Sequence, residues 1–111
     1  MSRSGTLFVI GLGPGHSAVM TDQARTALGQ ADVIIGYTGY FAWVEGLVQD
    51  KECVALPLAQ ETTRAQLAVD RAQQGQTVCV ISSGDAGIYG MASLVLEVVE
   101  QRQVDTGLPD V

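Results

Sequence analysis

Short apolar stretches alternate with longer segments whose apolar residues recur at helical spacing. The apolar stretches cover residues 6–10, 33–36, 53–56 and 78–81. The helical segments cover residues 22–29, 40–48, 64–74 and 91–103. Strands that alternate with helices form parallel βαβ units. The sequence therefore predicts an α/β fold, a three-layer sandwich with a mainly parallel sheet.

The apolar residues of each helical segment indicate which face turns toward the core. The expected core residues are Ala24, Ala27 and Leu28, then Phe41, Val44 and Leu47, then Leu67, Ala68 and Ala72, and finally Leu94, Val95, Val98 and Val99. A chain of 111 residues can bury such a core within one domain. Hydrophobic residues make up 47% of it, which excludes a disordered tail.

The charge balance excludes several classes of function. Six Lys and Arg residues against twelve Asp and Glu residues give a formal net charge of -6. So few cationic side chains do not form a nucleic-acid-binding surface. The apolar runs are too short to cross a bilayer, and residues 1–5 lead into a strand rather than a signal-peptide core. We therefore expect a cytoplasmic protein with no nucleic-acid or membrane partner.

The two cysteines, Cys53 and Cys79, lack the spacing of a metal-binding pair, and His16 is the single histidine. We therefore expect no metal site. Both cysteines lie in apolar strand-like runs, so we interpret them as buried thiols in a reducing compartment.

The last residues, 106–111, have the pattern of a turn that opens a fifth strand. The sequence stops where that strand should begin. We therefore expect residues 1–111 to form one α/β domain and to be a fragment of a longer protein; a domain that ends with the last helix is the alternative.

The first glycine segment, residues 11–16 (GLGPGH), follows a strand and precedes a helix. It fits a dinucleotide-binding fingerprint poorly, because His16 replaces the last glycine and Pro14 removes a backbone N–H from a phosphate cradle. Asp32 also comes before the second strand rather than at its end. No Gly-Lys-Ser/Thr sequence is present, which excludes a P-loop. A tight turn that needs glycine dihedrals stays an open alternative to a ligand site.

The second glycine segment, residues 82–90 (SSGDAGIYG), follows the fourth strand. Its three glycines let a backbone approach a ligand closely, and its polar side chains offer contacts: Ser82, Ser83, Asp85 and Tyr89. A plain loop is the alternative interpretation. Both glycine segments leave the carboxyl ends of parallel strands, where α/β sheets bind ligands. One shared ligand crevice is therefore expected.

Several stretches together resemble the tetrapyrrole methylases, the S-adenosylmethionine-dependent enzymes of corrin and sirohaem synthesis. They are GLGPG at 11–15 with MT at 20–21, ADVIIGY at 31–37, and the pair Gly84-Asp85. Within that family, GYTGY at 36–40 and SSGDAGIYGM at 82–91 are most similar to the precorrin-3B C17-methyltransferase branch. The resemblance covers essentially the whole chain.

The resemblance implies a two-domain α/β fold, of which this chain is the N-terminal domain. It also implies S-adenosylmethionine as the cofactor, a tetrapyrrole substrate and a homodimer. The expected reaction is methylation of precorrin-3B or cobalt-precorrin-3 at C17, with ring contraction, in cobalamin biosynthesis. Another precorrin or sirohaem methylase stays open as an alternative, and so does a flavodoxin-like module that binds a nucleotide or phosphate.

The resemblance assigns site residues within the motifs. The expected cofactor-binding residues are Pro14, Ser83, Gly84, Asp85 and Ile88. The expected substrate-cleft residues are Gly13, Gly15, His16 and Tyr37. Several relatives have Gly-Gly-Asp-Pro where this chain has Ser83 first and Ala86 last, which affects the branch rather than the family. In the sirohaem branch an aspartate after the second strand is assigned as a base. Tyr37 stands at that place here, so the catalytic residue is unknown.

A tetrapyrrole carries carboxylates, so an acidic enzyme needs local cations near its cleft. Arg25 and Arg64 are candidates, although a solvated helix face is the plainer interpretation of each. A methyl sulfonium is activated on its own, so the protein mainly has to position donor and acceptor in line.

Overall fold

The computed structural model describes residues 5–12, 22–44, 46, 48–57, 59–83 and 85–106. The strands are β1 (Thr6–Leu12), β2 (Val33–Tyr37), β3 (Glu52–Leu56) and β4 (Thr77–Ser83). The α-helices are α1 (Asp22–Gln30), α2 (Glu61–Gln73) and α3 (Asp85–Thr106), and a 3-10 helix covers Thr38–Trp43. The strands form one sheet in the order β1-β4-β2-β3, and every pairing in it is parallel.

Two apolar clusters cover the two faces of the sheet. Alternation along β2 divides its residues between them, because successive side chains of a strand point to opposite faces. Ile34 joins the cluster that contains α1, whereas Val33 and Ile35 join the cluster that contains α2 and α3. Helices on both faces of a parallel sheet make three layers, which confirms the predicted fold class.

Most of the expected core faces are confirmed. Three residues of α1 are buried against the first cluster: Ala24, Ala27 and Leu28. On the other face, the buried residues of the two helices include Ala68, Ala72, Met91 and Val95. The remaining expected residues there pack around that cluster while partly exposed: Leu67, Leu94, Val98 and Val99.

Two helices begin earlier than predicted. The helix expected from residue 64 begins at Glu61, and the helix expected from residue 91 begins at Asp85. Residues 85–90, interpreted above as part of a loop, are therefore helical. Glycine within a helix costs about 1 kcal/mol relative to alanine, so Gly90 weighs against a helix here. The packing of Met91 and Val95 against the sheet outweighs this preference.

The helix predicted for residues 40–48 is wrong. The chain forms a 3-10 helix at Thr38–Trp43 instead, and the N–H of Val44 donates to the carbonyl of Phe41 at 3.2 Å. Bonds from residue i to i+3 wind the chain more tightly and sustain only short helices. Val44 and Val48 are still buried and Phe41 is partly buried, so the apolar pattern identified core residues although not the helix type. Leu47 lies outside the described residues.

The two cysteines differ from each other. Cys79, in the central strand β4, is fully buried, and its thiol donates to the carbonyl of Ala27 at 3.2 Å. Burial raises the pKa of this thiol to about 11, and the charge of Lys51 opposes the shift. Cys53 is exposed, so the prediction of two buried thiols is wrong for it. It lies in β3, which is an edge strand among the described residues and is covered less completely.

Polar contacts close the amino edge of the sheet. Two arginine nitrogens of Arg71 donate to the carboxylate of Glu52, at 2.9 and 2.5 Å. The N–H of Thr77 donates to Asp32 at 2.8 Å. The Lys51 ammonium donates to the carbonyls of residues 29 and 31 at 3.0 and 2.9 Å, at the end of α1. Because structural contacts occupy this edge, we expect a ligand site at the opposite, carboxyl edge of the sheet.

Among the described residues, no helix combines the length and apolar character needed to cross a membrane.

Candidate functional site

The two glycine segments start side by side. β1 and β4 pair in register from Thr6 with Thr77 to Leu12 with Ser83. Leu12 is the last residue of β1 and Ser83 is the last residue of β4. The first segment therefore leaves the sheet directly beside the second, as the shared crevice predicted above requires.

The chain leaves these neighbouring strands toward opposite faces of the sheet. α3 follows β4 and packs on the face of Val78 and Val80. α1 follows β1 and packs on the other face, where the segment after β2 also lies, with Val44 and Val48 buried. Diverging connections open a crevice at the carboxyl ends of parallel strands, and such crevices are where open α/β sheets bind ligands. The strands on both sides of β4 are β1 and β2, and the segments that follow them pack on the face opposite to α3. Such a divergence therefore lies on each side of the end of β4.

Four of the five predicted cofactor residues belong to the junction between β4 and α3. Ser83 ends β4, Asp85 begins α3, and Ile88 follows in its first turn. Gly84, between the strand and the helix, lies outside the described residues. The first N–H groups of a helix have no partner within the helix. This junction therefore offers backbone donors beside the crevice.

The remaining predicted residues of the first glycine segment lie outside the described residues: Gly13, Pro14, Gly15 and His16. The structure describes the point where that segment begins, at Leu12.

Tyr37 lies at the same edge of the sheet, as the last residue of β2. Its side chain is half-buried, and its ring meets that of Tyr40 edge to face, with centroids 5.2 Å apart and planes at 83°. Directly before it, Gly36 lies against Ile81 of β4, and a Cβ at residue 36 would collide with that side chain. The close approach brings the end of β2 against the end of β4.

Tyr40 was not among the predicted site residues, because it was assigned to the start of a helix. The spacing of the two tyrosines in GYTGY was the available signal. In a 3-10 helix the turn is short enough to return Tyr40 to the ring of Tyr37.

The candidate cation Arg64 is buried, so a solvated helix face is the wrong interpretation of it. It lies in α2 next to the end of β3, and its Nη1 donates to the carbonyl of Pro57 at 3.2 Å. Its Nη2 is 3.7 Å from the carboxylate of Glu61. These contacts fix the connection between β3 and α2. Arg25, the other candidate, is half-buried in α1.

Within the part of the chain that the structure describes, no three His, Cys, Asp or Glu residues are grouped in a way that could hold a metal ion.

Comparisons with known proteins agree with this geometry. The chain is 47% identical over 98 residues to the cobalt-factor III methyltransferase of Priestia megaterium, covering 88% of this chain and 18% of that protein. It is 46% identical to the probable cobalt-factor III C(17)-methyltransferase of Salmonella typhimurium, covering 89% of this chain and 41% of that protein. It is 38% identical to the precorrin-3B C(17)-methyltransferase of a Sinorhizobium species, covering 88% of this chain and 38% of that protein. The chain thus spans less than half the length of these relatives.

Solved structures give the same fold. The methyltransferase CobJ superposes with a TM-score of 0.80 at 35% identity, over 94% of this chain and 43% of that one. The cobalt precorrin-4 methyltransferase CbiF, at 21% identity and a TM-score of 0.69, shares the fold over 87% of this chain and 42% of that one.

The family model for tetrapyrrole (corrin/porphyrin) methylases matches residues 6–107, nearly the whole chain. It includes both glycine segments and all four strands. The chain belongs to the tetrapyrrole methylase family.

Proposed function

We propose that this chain is part of an S-adenosylmethionine-dependent methyltransferase that methylates precorrin-3B or its cobalt-containing counterpart at C17, with ring contraction. The observation that supports the proposal is the register of Leu12 with Ser83, because the two glycine segments start at these neighbouring strand ends. Relatives named for C17 methylation of precorrin-3B and of cobalt-factor III support the choice of branch.

The residues at the end of β4 fit the cofactor. Ser83 ends the strand β4 and Asp85 opens the long helix α3, with Gly84 between them in the sequence. The N–H groups of the first turn of α3, which have no partner within the helix, suit the carboxylate and hydroxyl oxygens of S-adenosylmethionine. A glycine at residue 84 lets the backbone approach the cofactor closely. Pro14 belongs to the segment that follows the neighbouring strand β1, and the family resemblance assigns it to the cofactor site.

The cofactor supplies an electrophilic methyl group, so the protein does not need to activate it. What this chain contributes is binding and orientation: the β4–α3 junction holds the cofactor, and the first glycine segment with Tyr37 lines the substrate side. Holding two reactants in line removes much of the entropic barrier to their reaction. We assign no general base within this chain.

We further propose that residues 1–111 form the N-terminal domain of a two-domain enzyme. The chain spans 41% of the Salmonella relative and 43% of CobJ, which leaves room for a second domain. In family terms, the cofactor lies between the domains, so this chain carries one side of the site.

The handedness of the crossovers indicates where the fold would extend. The connection from β3 to β4 runs through α2, and α3 lies on the same face of the sheet. Crossovers between parallel strands are right-handed in nearly all proteins. A parallel strand after α3 would therefore continue in the direction from β3 to β4 and lie beside β1, which is an edge strand among those described.

Assembly and location are part of the same proposal. Two large side chains on α3, Tyr89 and Leu96, are 74% and 60% exposed and lie seven residues apart, on one face of the helix. This apolar face supports a homodimer. Cys53 and Cys79 are free thiols, which suits the reducing cytoplasm.

The decisive experiment follows the label from S-[methyl-13C]adenosylmethionine in the full-length protein, with precorrin-3B and cobalt-factor III as acceptors. We expect a labelled methyl carbon at C17 of at least one ring-contracted product. Methylation at another position would assign the protein to another branch of the family. Binding of a nucleotide or phosphate without any methyl transfer would favour the flavodoxin-like alternative and overturn the proposal.

A further inference from the structure

Tyr37 is a partly exposed aromatic side chain at the carboxyl edge of the sheet. It ends β2, which lies beside β4, and its register partner on the other side is Leu56 at the end of β3. Immediately after it, the hydroxyl of Thr38 donates to the carbonyl of Leu56 at 3.2 Å. The backbone that carries the tyrosine ring is therefore fixed by its pairing with β3 and by the Thr38 hydrogen bond.

Gly39 shapes the space in which the ring lies. A Cβ at residue 39 would be 2.5 Å from Cε2 of Tyr37 and 3.2 Å from its Cδ2 and Cζ. Gly39 does not have a positive φ, so its backbone conformation is open to other residues. Glycine is therefore required at residue 39 because the Tyr37 ring approaches the backbone there.

Tyr40 supports the same ring from another direction. It packs against the buried cluster that contains Val44 and Ile81, so its own position is tied to the core. Its ring meets Tyr37 edge to face, the arrangement in which the positive edge of one ring approaches the negative face of the other. Tyr37 is therefore held by Gly39, by Tyr40 and by the paired backbone of β2.

A rigid, partly exposed aromatic ring suits one class of ligand, a flat conjugated ring system. Such a ligand gains from stacking, and a side chain already fixed in place loses little conformational entropy on binding. We infer that Tyr37 contacts the face of the tetrapyrrole substrate, and that Gly39 and Tyr40 are positioning residues for its ring. This inference rests on the proposed function, which supplies the conjugated substrate.

The test titrates cobalt-factor III into the full-length protein and its variants, with the substrate's visible absorption as the readout. Tyr37→Ala removes the ring and is expected to weaken binding about tenfold or more. Tyr37→Phe keeps the ring without the hydroxyl and is expected to stay within about threefold of the wild type. Gly39→Ala is expected to weaken binding by displacing the ring, whereas Gly46→Ala, where a Cβ meets nothing within 4 Å, is the matched control.

The affinity for S-adenosylhomocysteine, measured on the same variants, separates a local effect from loss of fold. We expect this affinity to stay unchanged in all four variants. Binding to the wild type is also expected to shift the absorption band of the substrate. Tyr37→Ala should abolish this shift, whereas Tyr37→Phe should retain it. Tyr37→Ala that binds cobalt-factor III as tightly as the wild type would overturn this inference and leave the proposed function intact. If the wild type bound neither cobalt-factor III nor precorrin-3B, the proposed function would instead be overturned.

Discussion

Leu12 and Ser83 are register partners, and each is the last residue of its strand. They are 71 residues apart in sequence, yet their pairing brings the starts of both family motifs together. A ligand crevice in an open α/β sheet needs this juxtaposition, since no single loop encloses a cofactor. The pairing of β1 with β4 is therefore the part of the fold on which the proposed site depends most directly.

The contact between Gly36 and Ile81 predicts a steric requirement at the end of β2. Gly36→Ala places a Cβ against the Ile81 side chain within a buried layer, and overpacking of this kind typically destabilises by about 1–3 kcal/mol. We expect a lower melting temperature for the full-length protein by circular dichroism. Gly29→Ala is the control, because a Cβ there meets nothing within 4 Å and alanine favours the helix. Equal melting temperatures for the two variants would contradict the packing described here.

The ion pair between Glu52 and Arg71 predicts a loss of stability in acid. The hydrogen bond from Arg71 is the main cause that lowers the pKa of Glu52 below its ordinary value of 4.5, assisted by the arginine charge and opposed by desolvation. A carboxylate with a lowered pKa stabilises the fold above the unfolded-state pKa, and this contribution is lost as pH falls from there toward the folded-state pKa. Because Glu52 is exposed and Arg71 is partly exposed, solvent screens the pair and the effect is modest.

Thermal unfolding across pH 6 to 3 checks this. We expect Glu52→Gln to lower the melting temperature near pH 6 and to approach the wild type at the acid end. Glu100→Gln, a change at an exposed glutamate of α3, serves as the control. A difference between Glu52→Gln and the wild type that does not shrink on acidification would rule out the ion pair as its source.

We predict that the two cysteines react with an alkylating reagent at different rates. Cys53 is exposed, whereas Cys79 is buried and its pKa is raised to about 11, so the Cys79 thiolate is scarce at neutral pH. Burial and the neighbouring Glu52 also raise the pKa of Cys53, so accessibility is what favours its reaction. Iodoacetamide treatment of the native protein with peptide mapping should modify Cys53 first and Cys79 only after unfolding. Equal modification of the two under native conditions would contradict the burial of β4.

The raised pKa of Cys79 also predicts a loss of stability in base. The unfolded thiol ionises near its ordinary value of 9.0, whereas the folded thiol keeps its proton to about pH 11. Stability therefore falls as pH rises through this range, because the unfolded state releases the proton first. Cys79→Ala is expected to remove this component, although the variant also loses packing volume. A decline between pH 9 and 11 that is identical in the wild type and the variant would exclude Cys79 as its origin.

The alternation of apolar runs and helical segments was enough to predict the four strands and the layers. Each strand is a run of apolar residues with no competing helical pattern, as in Val33–Tyr37. The strand order could not be predicted, because the pairing of β1 with β4 joins distant parts of the chain. The 3-10 helix at Thr38–Trp43 was missed for a local reason: the apolar residues in it and after it, such as Phe41 and Val44, have a spacing that also suits an α-helix.

Sequence motifs identified some residues of the candidate site, whereas contacts that arise from tertiary packing could not be predicted. Ser83 and Asp85 could be proposed from the glycine segment and the family resemblance. The support of Tyr37 by Gly39 and Tyr40 depends on how a short 3-10 helix folds back, which propensities do not specify. Burial of Arg64 likewise depends on the carbonyl of Pro57, a contact made after the chain has turned into α2.

The most direct test of the account is calorimetric binding of S-adenosylhomocysteine to the full-length protein and to its Gly84→Val variant. If the cofactor binds at the end of β4 as proposed, a branched side chain at residue 84 would occupy the space that the cofactor needs. Gly29→Val, at a helical glycine with open space around it, is the matched control. We predict that the wild type and Gly29→Val bind with equal affinity, and that Gly84→Val keeps its circular dichroism spectrum and loses binding by more than about tenfold. A folded Gly84→Val variant with unchanged affinity would contradict the placement of the cofactor at the end of β4.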